Sequence, residues 1–243
     1  MLKFDEIQKF QIRNFLKKKL GLRIFKEYFY KFEYDRENYR LLWDKSDIVI
    51  LDVGANVGQS TLWYLESFPS AQIYAFEPLP NVYKRLQSSL KHHQNVTCIE
   101  KAVGRQNGKI QIPYIKSDTV LTTQVLKGSL QRSPDDIDIE VVNLDNFVEE
   151  QEIETIDILK TDTEGYDLDV LAGARELLEA GRIVYILSEA TTNEEDTQYT
   201  SFYKLKSFLE PLGYVLHSFY DVTHRPSDGR IEHFNVLFKL DRK

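Results

Sequence analysis

Directly after the apolar run Ile48-Val49-Ile50-Leu51 stands Asp52-Val53-Gly54-Ala55-Asn56-Val57-Gly58. Gly54 frees the backbone for a tight turn, and Gly58 lets the helix that follows approach the sheet closely. A dinucleotide fingerprint would set a second glycine against a pyrophosphate; Asn56 takes that place here, and Asp52 stands just ahead of the turn. An acid there suits a ligand with an ammonium group. S-adenosylmethionine carries one, together with a carboxylate that loop amides can receive. A purely structural strand–turn–helix junction would use the same residues. Glu77, in Phe76-Glu77-Pro78, comes 25 residues after Asp52. Nucleoside folds hold a ribose diol with an acid at this place, one carboxylate accepting two hydroxyl hydrogen bonds. An acid capping the next helix would look alike, but the two motifs in register favour the ribose.

The elements that must position these residues alternate along the chain. Apolar stretches at 48–51, 72–76, 96–99, 156–160, 183–187, 214–219 and 234–238 read as strands. Helical patterns lie between them at 57–68, 80–90, 166–180 and 199–210. Short strand-like pieces at 109–115 and 137–142 flank a loop around 116–136. Such alternation means an α/β fold, a mostly parallel sheet covered by helices on both faces. The 220–233 connection lacks a helical pattern and suits an antiparallel hairpin. Ahead of the first strand, Ile12, Phe15, Leu16 and Leu20, then Phe25, Tyr28, Phe29 and Phe32, make two amphipathic helical stripes. Residues 1–45 are therefore read as a helical extension and 46–243 as the ligand-binding domain.

Composition narrows the class. The 243 residues carry net charge −7, are 42% apolar and include one cysteine, Cys98. That excludes a disordered chain, an internal disulfide framework and a thiolate zinc site. No apolar run approaches the ~20 residues of a spanning helix, and no secretory leader is visible, so a cytoplasmic location without integral membrane association is expected. Residues 1–40 hold 11 Lys/Arg against 6 Asp/Glu, which leaves the rest strongly acidic. An acidic body argues against a nucleic-acid partner. The N-terminal extension either lids the pocket or packs against a second subunit, as in a homo-oligomer.

The blocks 52–61, Phe76-Glu77-Pro78, Leu144-Asp145-Asn146-Phe147, 159–166 and 170–174, in this order, resemble the FkbM-type family of S-adenosylmethionine-dependent methyltransferases. The resemblance spans about residues 48–240. It implies a Rossmann-like class I methyltransferase fold, seven strands in the order 3-2-1-4-5-7-6 with the last antiparallel. It also implies methyl transfer to a small-molecule acceptor, commonly to a hydroxyl oxygen of a sugar or polyketide-like metabolite. Carried over by position, Asp52, Gly54, Asn56 and Glu77 become cofactor contacts, with Gly58 in the same turn; Ala102 and Val103 would flank the adenine. N- or C-methylation, or a nucleoside-binding module without catalysis, are the alternatives; a nicotinamide oxidoreductase is disfavoured by Asn56.

Ligands of open α/β sheets sit beyond the carboxyl ends of the parallel strands. Alternation puts Ile158, Lys160 and Asp162 on one side of the fourth strand. Glu189 ends the fifth, and His233 begins the seventh, which runs the other way. These side chains should converge beside the methyl group. Either His233, or Asp162 assisted by Lys160, removes the acceptor proton. Alternatively, Asp162 and Glu189 hold a divalent cation, which is not favoured because an imidazole is a poor ligand for hard cations. A polar cluster that merely satisfies the sheet edge is the third reading. Glu164 is balanced between a functional role and fixing the turn into the next helix. His217 is read as a packed residue, and Trp43 and Trp63 as core.

Overall fold

The computed structural model describes residue 34, residues 36–42, 44–112 and 136–241. The two N-terminal stripes, Trp43 and the 116–135 loop lie outside them. The main sheet contains β1 (Val49–Val53), β2 (Gln72–Phe76), β3 (Val96–Ile99), β7 (Ile156–Thr161), β8 (Ile183–Thr191), β10 (Tyr214–His224) and β11 (Ile231–Leu240). Their spatial order is β3-β2-β1-β7-β8-β11-β10, with the two-residue β9 (Thr200–Ser201) beside β8. Numbered along this sheet alone, that is the order 3-2-1-4-5-7-6. β11 is antiparallel to both its neighbours, and the others run parallel.

Alternation along the central strands divides the core. Leu51, Val53 and Leu159 face one side, covered by α3 (Leu144–Glu150), α4 (Asp167–Ala172), α5 (Arg175–Glu179) and α6 (Phe202–Leu209). Ile50 and Ile158 face the other, covered by α1 (Gln59–Ser67) and α2 (Pro80–Leu90) through Leu62, Leu65, Leu86 and Leu90. Tyr39, fully buried, joins this second face by packing edge-on to Phe68 and Tyr185. Trp63 is half-buried against Tyr34 rather than core.

Five local readings need correction. The stretch 166–180 is two short helices, α4 and α5, because Gly173 touches the 104 backbone: a Cβ there would lie 2.1 Å from the Gly104 carbonyl oxygen. The Asp145 carboxylate then caps α5, accepting from Glu176 N at 3.1 Å and Leu177 N at 3.0 Å. α3 itself was not anticipated; Asn143 caps it. Strands β8, β10 and β11 run longer than their apolar runs, since pairing continues to Ala190–Phe234 and His224–Ile231. Glu189 and His233 thus lie inside strands rather than at their ends. β4 (Ala102–Val103), β5 (Gly108–Ile112) and β6 (Ile137–Val142) form a separate sheet, order β4-β6-β5. Finally, His217 is exposed rather than packed, because β10 is an edge strand; its ring lies 6.2 Å from that of Tyr185. Among the described residues no helix is long and apolar enough to cross a membrane.

Candidate active site

A cavity of about 540 Å3 opens beyond the carboxyl ends of β1, β2 and β7. Three kinds of surface line it. Gly54, Asn56 and Glu77 come from the turns after β1 and β2. Val103, Ile110, Ile139 and Val141 form an apolar wall from the second sheet, whose folding against the main sheet is what makes the cavity. Asp162, Thr163 and Glu164 supply the rim after β7. Ala102 lines it beside Val103.

The β1 turn is tightly held. Gly54 has φ +78°, and a Cβ there would fall 2.0 Å from the Asp162 carbonyl oxygen. Only glycine lets the turn cross the end of β7 so closely. Both the Gly54 and Ala55 amides donate to the Phe76 carbonyl, at 3.1 and 2.9 Å. Those two amides are thus engaged and do not face a ligand carboxylate. Asn56 sits at φ 51°, with its backbone amide on Glu77. Gly58 does not reach the cavity; a Cβ there would press on Leu86 and Leu90 of α2.

Asp52 is placed differently from the expectation of a direct ligand contact. Register sets it opposite Lys160, on the same face of adjacent strands. Its side chain is fully buried; Oδ2 accepts from Ser60 Oγ and Thr61 Oγ1, both at 2.6 Å. The Lys160 ammonium, 4% exposed, lies 3.3 Å from Asp52 Oδ1 and 3.3 Å from Asp162 Oδ2, and donates to the Gly54 carbonyl at 2.9 Å. Burial opposes its charge, but Asp162 and Asp52 outweigh that and hold the ammonium well above the usual lysine range. Lys160 is thus a strut joining β1, its turn and the end of β7. The α1 hydroxyls that hold Asp52 are the reason an acid can be buried there.

Glu77 is buried at the edge of the cavity, with Oε1 accepting from Leu79 N at 2.9 Å. Burial pushes its carboxyl up to about 7, against the hydrogen bonds from Leu79 and Asn56. Glu164, at φ 54° before Gly165, is pushed to about 7 by burial and then by Asp162. It accepts from Gln198 Nε2 at 3.5 Å.

Past Glu164 the edge continues to Glu189 and His233, which do not line the cavity. Register brings them together on β8 and β11: Asn235 pairs with Glu189, and Phe234 with Ala190. His233 Nε2 lies 3.7 Å from Glu189 Oε1. Burial, then Asp162, Glu164 and Asp167, drive the Glu189 carboxyl to about 9. Among the described residues no group of three or more His, Cys, Asp or Glu side chains is arranged to hold a metal ion.

Tyr199, Gln198 and Asp167 were not singled out from sequence. Tyr199 stacks on His233, ring centroids 4.6 Å apart and 27° between planes. Asp167 is buried beneath, its Oδ2 accepting from Thr200 Oγ1 at 2.8 Å. A lone tyrosine in a polar loop gives no sequence signal, because its neighbour in space is a histidine 34 positions later.

Comparison with known proteins fits this geometry. The family model described as the methyltransferase FkbM domain matches residues 52–216. The 2-O-methyltransferase NoeI of Sinorhizobium fredii is 30% identical over 156 residues, 59% of this chain and 64% of that protein. This chain therefore spans just under two thirds of that relative. The hexuronic acid methyltransferase AglP of Haloferax volcanii is 26% identical over 182 residues, 73% of this chain and 72% of its own. An rRNA methylase from Streptococcus thermophilus superposes with TM-score 0.50 at 10% identity, covering 90% of this chain and all of that one, a likeness of fold. The fold is that of class I methyltransferases, and the chain belongs to the methyltransferase FkbM domain family.

Proposed function

We propose that this chain transfers a methyl group from S-adenosylmethionine to a hydroxyl oxygen of a small polyhydroxylated acceptor. The observation that carries the proposal is the cavity: a buried acid at the tip of β2 faces an apolar wall on one side and the β1 turn on the other. Its volume lies within the range of ligand pockets. The residue types match the parts of the donor. Glu77 would hold the ribose diol, Val103, Ile110 and Ile139 would pack against one face of the adenine, and Asp162 would meet the amino-acid end. Asn56 sits where that end turns. Asp52, Gly58 and Lys160 act from beneath by fixing the turn.

When bound, S-adenosylmethionine supplies an electrophilic methyl carbon. The chain's own part is to hold the acceptor oxygen in line, exclude water and take its proton. His233 Nε2 would accept that proton, with the Glu189 carboxyl, 3.7 Å away, orienting the acceptor hydroxyl beside it. Asp162 and Glu164, on the rim, would orient further hydroxyls. The relatives' names, a 2-O-methyltransferase and a hexuronic acid methyltransferase, support a sugar-like acceptor.

The test is methyl transfer from labelled donor to the methyl glycosides of glucose, galactose and glucuronic acid, with the product located by mass spectrometry. O-methylated sugar is the expected product. Donor binding accompanied by methylation of nitrogen or carbon in amine- or enol-bearing probes alone would refute the oxygen assignment.

A further inference from the structure

The Glu189–His233 pair sits on sheet strands, whereas the ring that covers it comes from the segment between β8 and α6. We propose that Tyr199 is a positioning residue: its ring, stacked on His233, fixes the imidazole plane so that Nε2 stays beside Glu189 and directed at the acceptor. The proposal rests on the reading of His233 as the proton acceptor. Three observations support it. First, the segment is tied down on both sides of the ring. Asp196 Oδ1 accepts from Gln198 N at 2.8 Å and Tyr199 N at 3.0 Å, and the next residue, Thr200, pairs with Ala190 and is bonded to buried Asp167. Second, the ring lies nearly parallel to the imidazole, 4.6 Å away, while the Thr223 backbone flanks His233 on β10. An imidazole on a strand otherwise has several staggered side-chain positions; a flat neighbour leaves few. Third, Gln198 Nε2 donates to the Tyr199 hydroxyl at 3.3 Å and reaches Glu164 Oε2 at 3.5 Å, so the same segment ties the pair to the cavity rim. Burial, then Glu189 and Glu164, holds the phenol proton on far above neutral pH, so Tyr199 acts as a wall and not as a base.

The experiment compares Tyr199→Leu, which removes the plate, with Tyr199→Phe, which keeps it, each alone and with His233→Ala. Binding of S-adenosylhomocysteine is measured first, and its absence in the unaltered protein would count against the donor reading rather than against Tyr199. With the best glycoside of the panel above, Tyr199→Leu should lower kcat by about ten- to a hundredfold while S-adenosylhomocysteine affinity holds. Tyr199→Phe should restore most of that loss, and Tyr199→Leu should add nothing once His233 is alanine. An equal fall in both backgrounds, or a phenylalanine variant as slow as the leucine one, overturns the proposal. A readout that needs no acceptor decides the same point. Nuclear Overhauser contacts between the His233 ring and the Glu189 side chain should persist in Tyr199→Phe and vanish in Tyr199→Leu; their survival in Tyr199→Leu overturns it.

Discussion

Replacing Lys160 with methionine keeps the side chain's length and apolar stem but deletes a charge that touches three oxygens: the Gly54 carbonyl at 2.9 Å and carboxylate oxygens of Asp52 and Asp162 at 3.3 Å. Asp162 is partly exposed and can turn to water, but Asp52 is fully buried and cannot. Removing one partner of a buried ion pair costs about 3–5 kcal/mol, mostly from the charge left behind. Set against a typical domain stability of about 5–15 kcal/mol, that is a large share. If the cost comes from stranding Asp52, then adding Asp52→Asn should recover most of it. The neutral amide oxygen can still accept from Ser60 and Thr61, as Oδ2 does now. Urea denaturation followed by circular dichroism measures all three variants against the parent. A loss below about 1 kcal/mol for Lys160→Met, the range of exposed ion pairs, would refute the strut. So would a double variant no more stable than the single one.

Glu77 must be ionised to accept two hydroxyls, and its carboxyl sits at about 7, so S-adenosylhomocysteine affinity should rise as pH increases through 7. Calorimetry at several pH values should show that rise in the parent and lose it in Glu77→Gln. Stability should move the other way. Glu77, Glu164 and Glu189 bind protons more tightly folded than unfolded, so their contribution is present below about pH 4.5 and is lost as pH climbs through 7 and 9. A ligand-free melting temperature that rises steadily from pH 5 to pH 9 would contradict this. Gly54→Ala, forced into a positive φ with its Cβ against the Asp162 carbonyl, should cost about 2 kcal/mol or more. Gly108→Ala, with nothing within 4 Å of its Cβ, is the control in the same denaturation series. His233→Ala should lower methyl transfer by ~10²–10⁴ and leave S-adenosylhomocysteine binding intact; a variant that turns over normally would move proton removal elsewhere.

The parts of the fold set by local pattern were legible. Val49–Val53 and Ile156–Thr161 are buried along almost their whole length because both faces of a central strand are covered, and Gly54 announces the turn after the first. What was not legible depended on partners distant in sequence. The break at Gly173 is set by a backbone approach from Gly104, and the extensions of β10 and β11 by pairing with each other. The placement of Asp52 shows the same limit. Its position in the motif suggested a ligand contact, whereas register opposite Lys160 and two α1 hydroxyls turn its carboxylate inward. Asp162, Glu189 and His233 were brought to one edge by strand polarity alone, yet only the structure shows that the cavity reaches Asp162 and stops short of the other two.

The central claim is that the cavity between the β1 turn and the second sheet is the donor site, with Glu77 holding the ribose. Isothermal titration of S-adenosylhomocysteine into the parent and into folded Glu77→Ala, at pH 8 where the acid is ionised, tests it most directly. One site per chain is expected, weakened in the variant by about 1–3 kcal/mol, the loss of a charge-assisted pair of hydrogen bonds. Equal affinity in the two proteins, or no binding to the parent, would contradict the assignment.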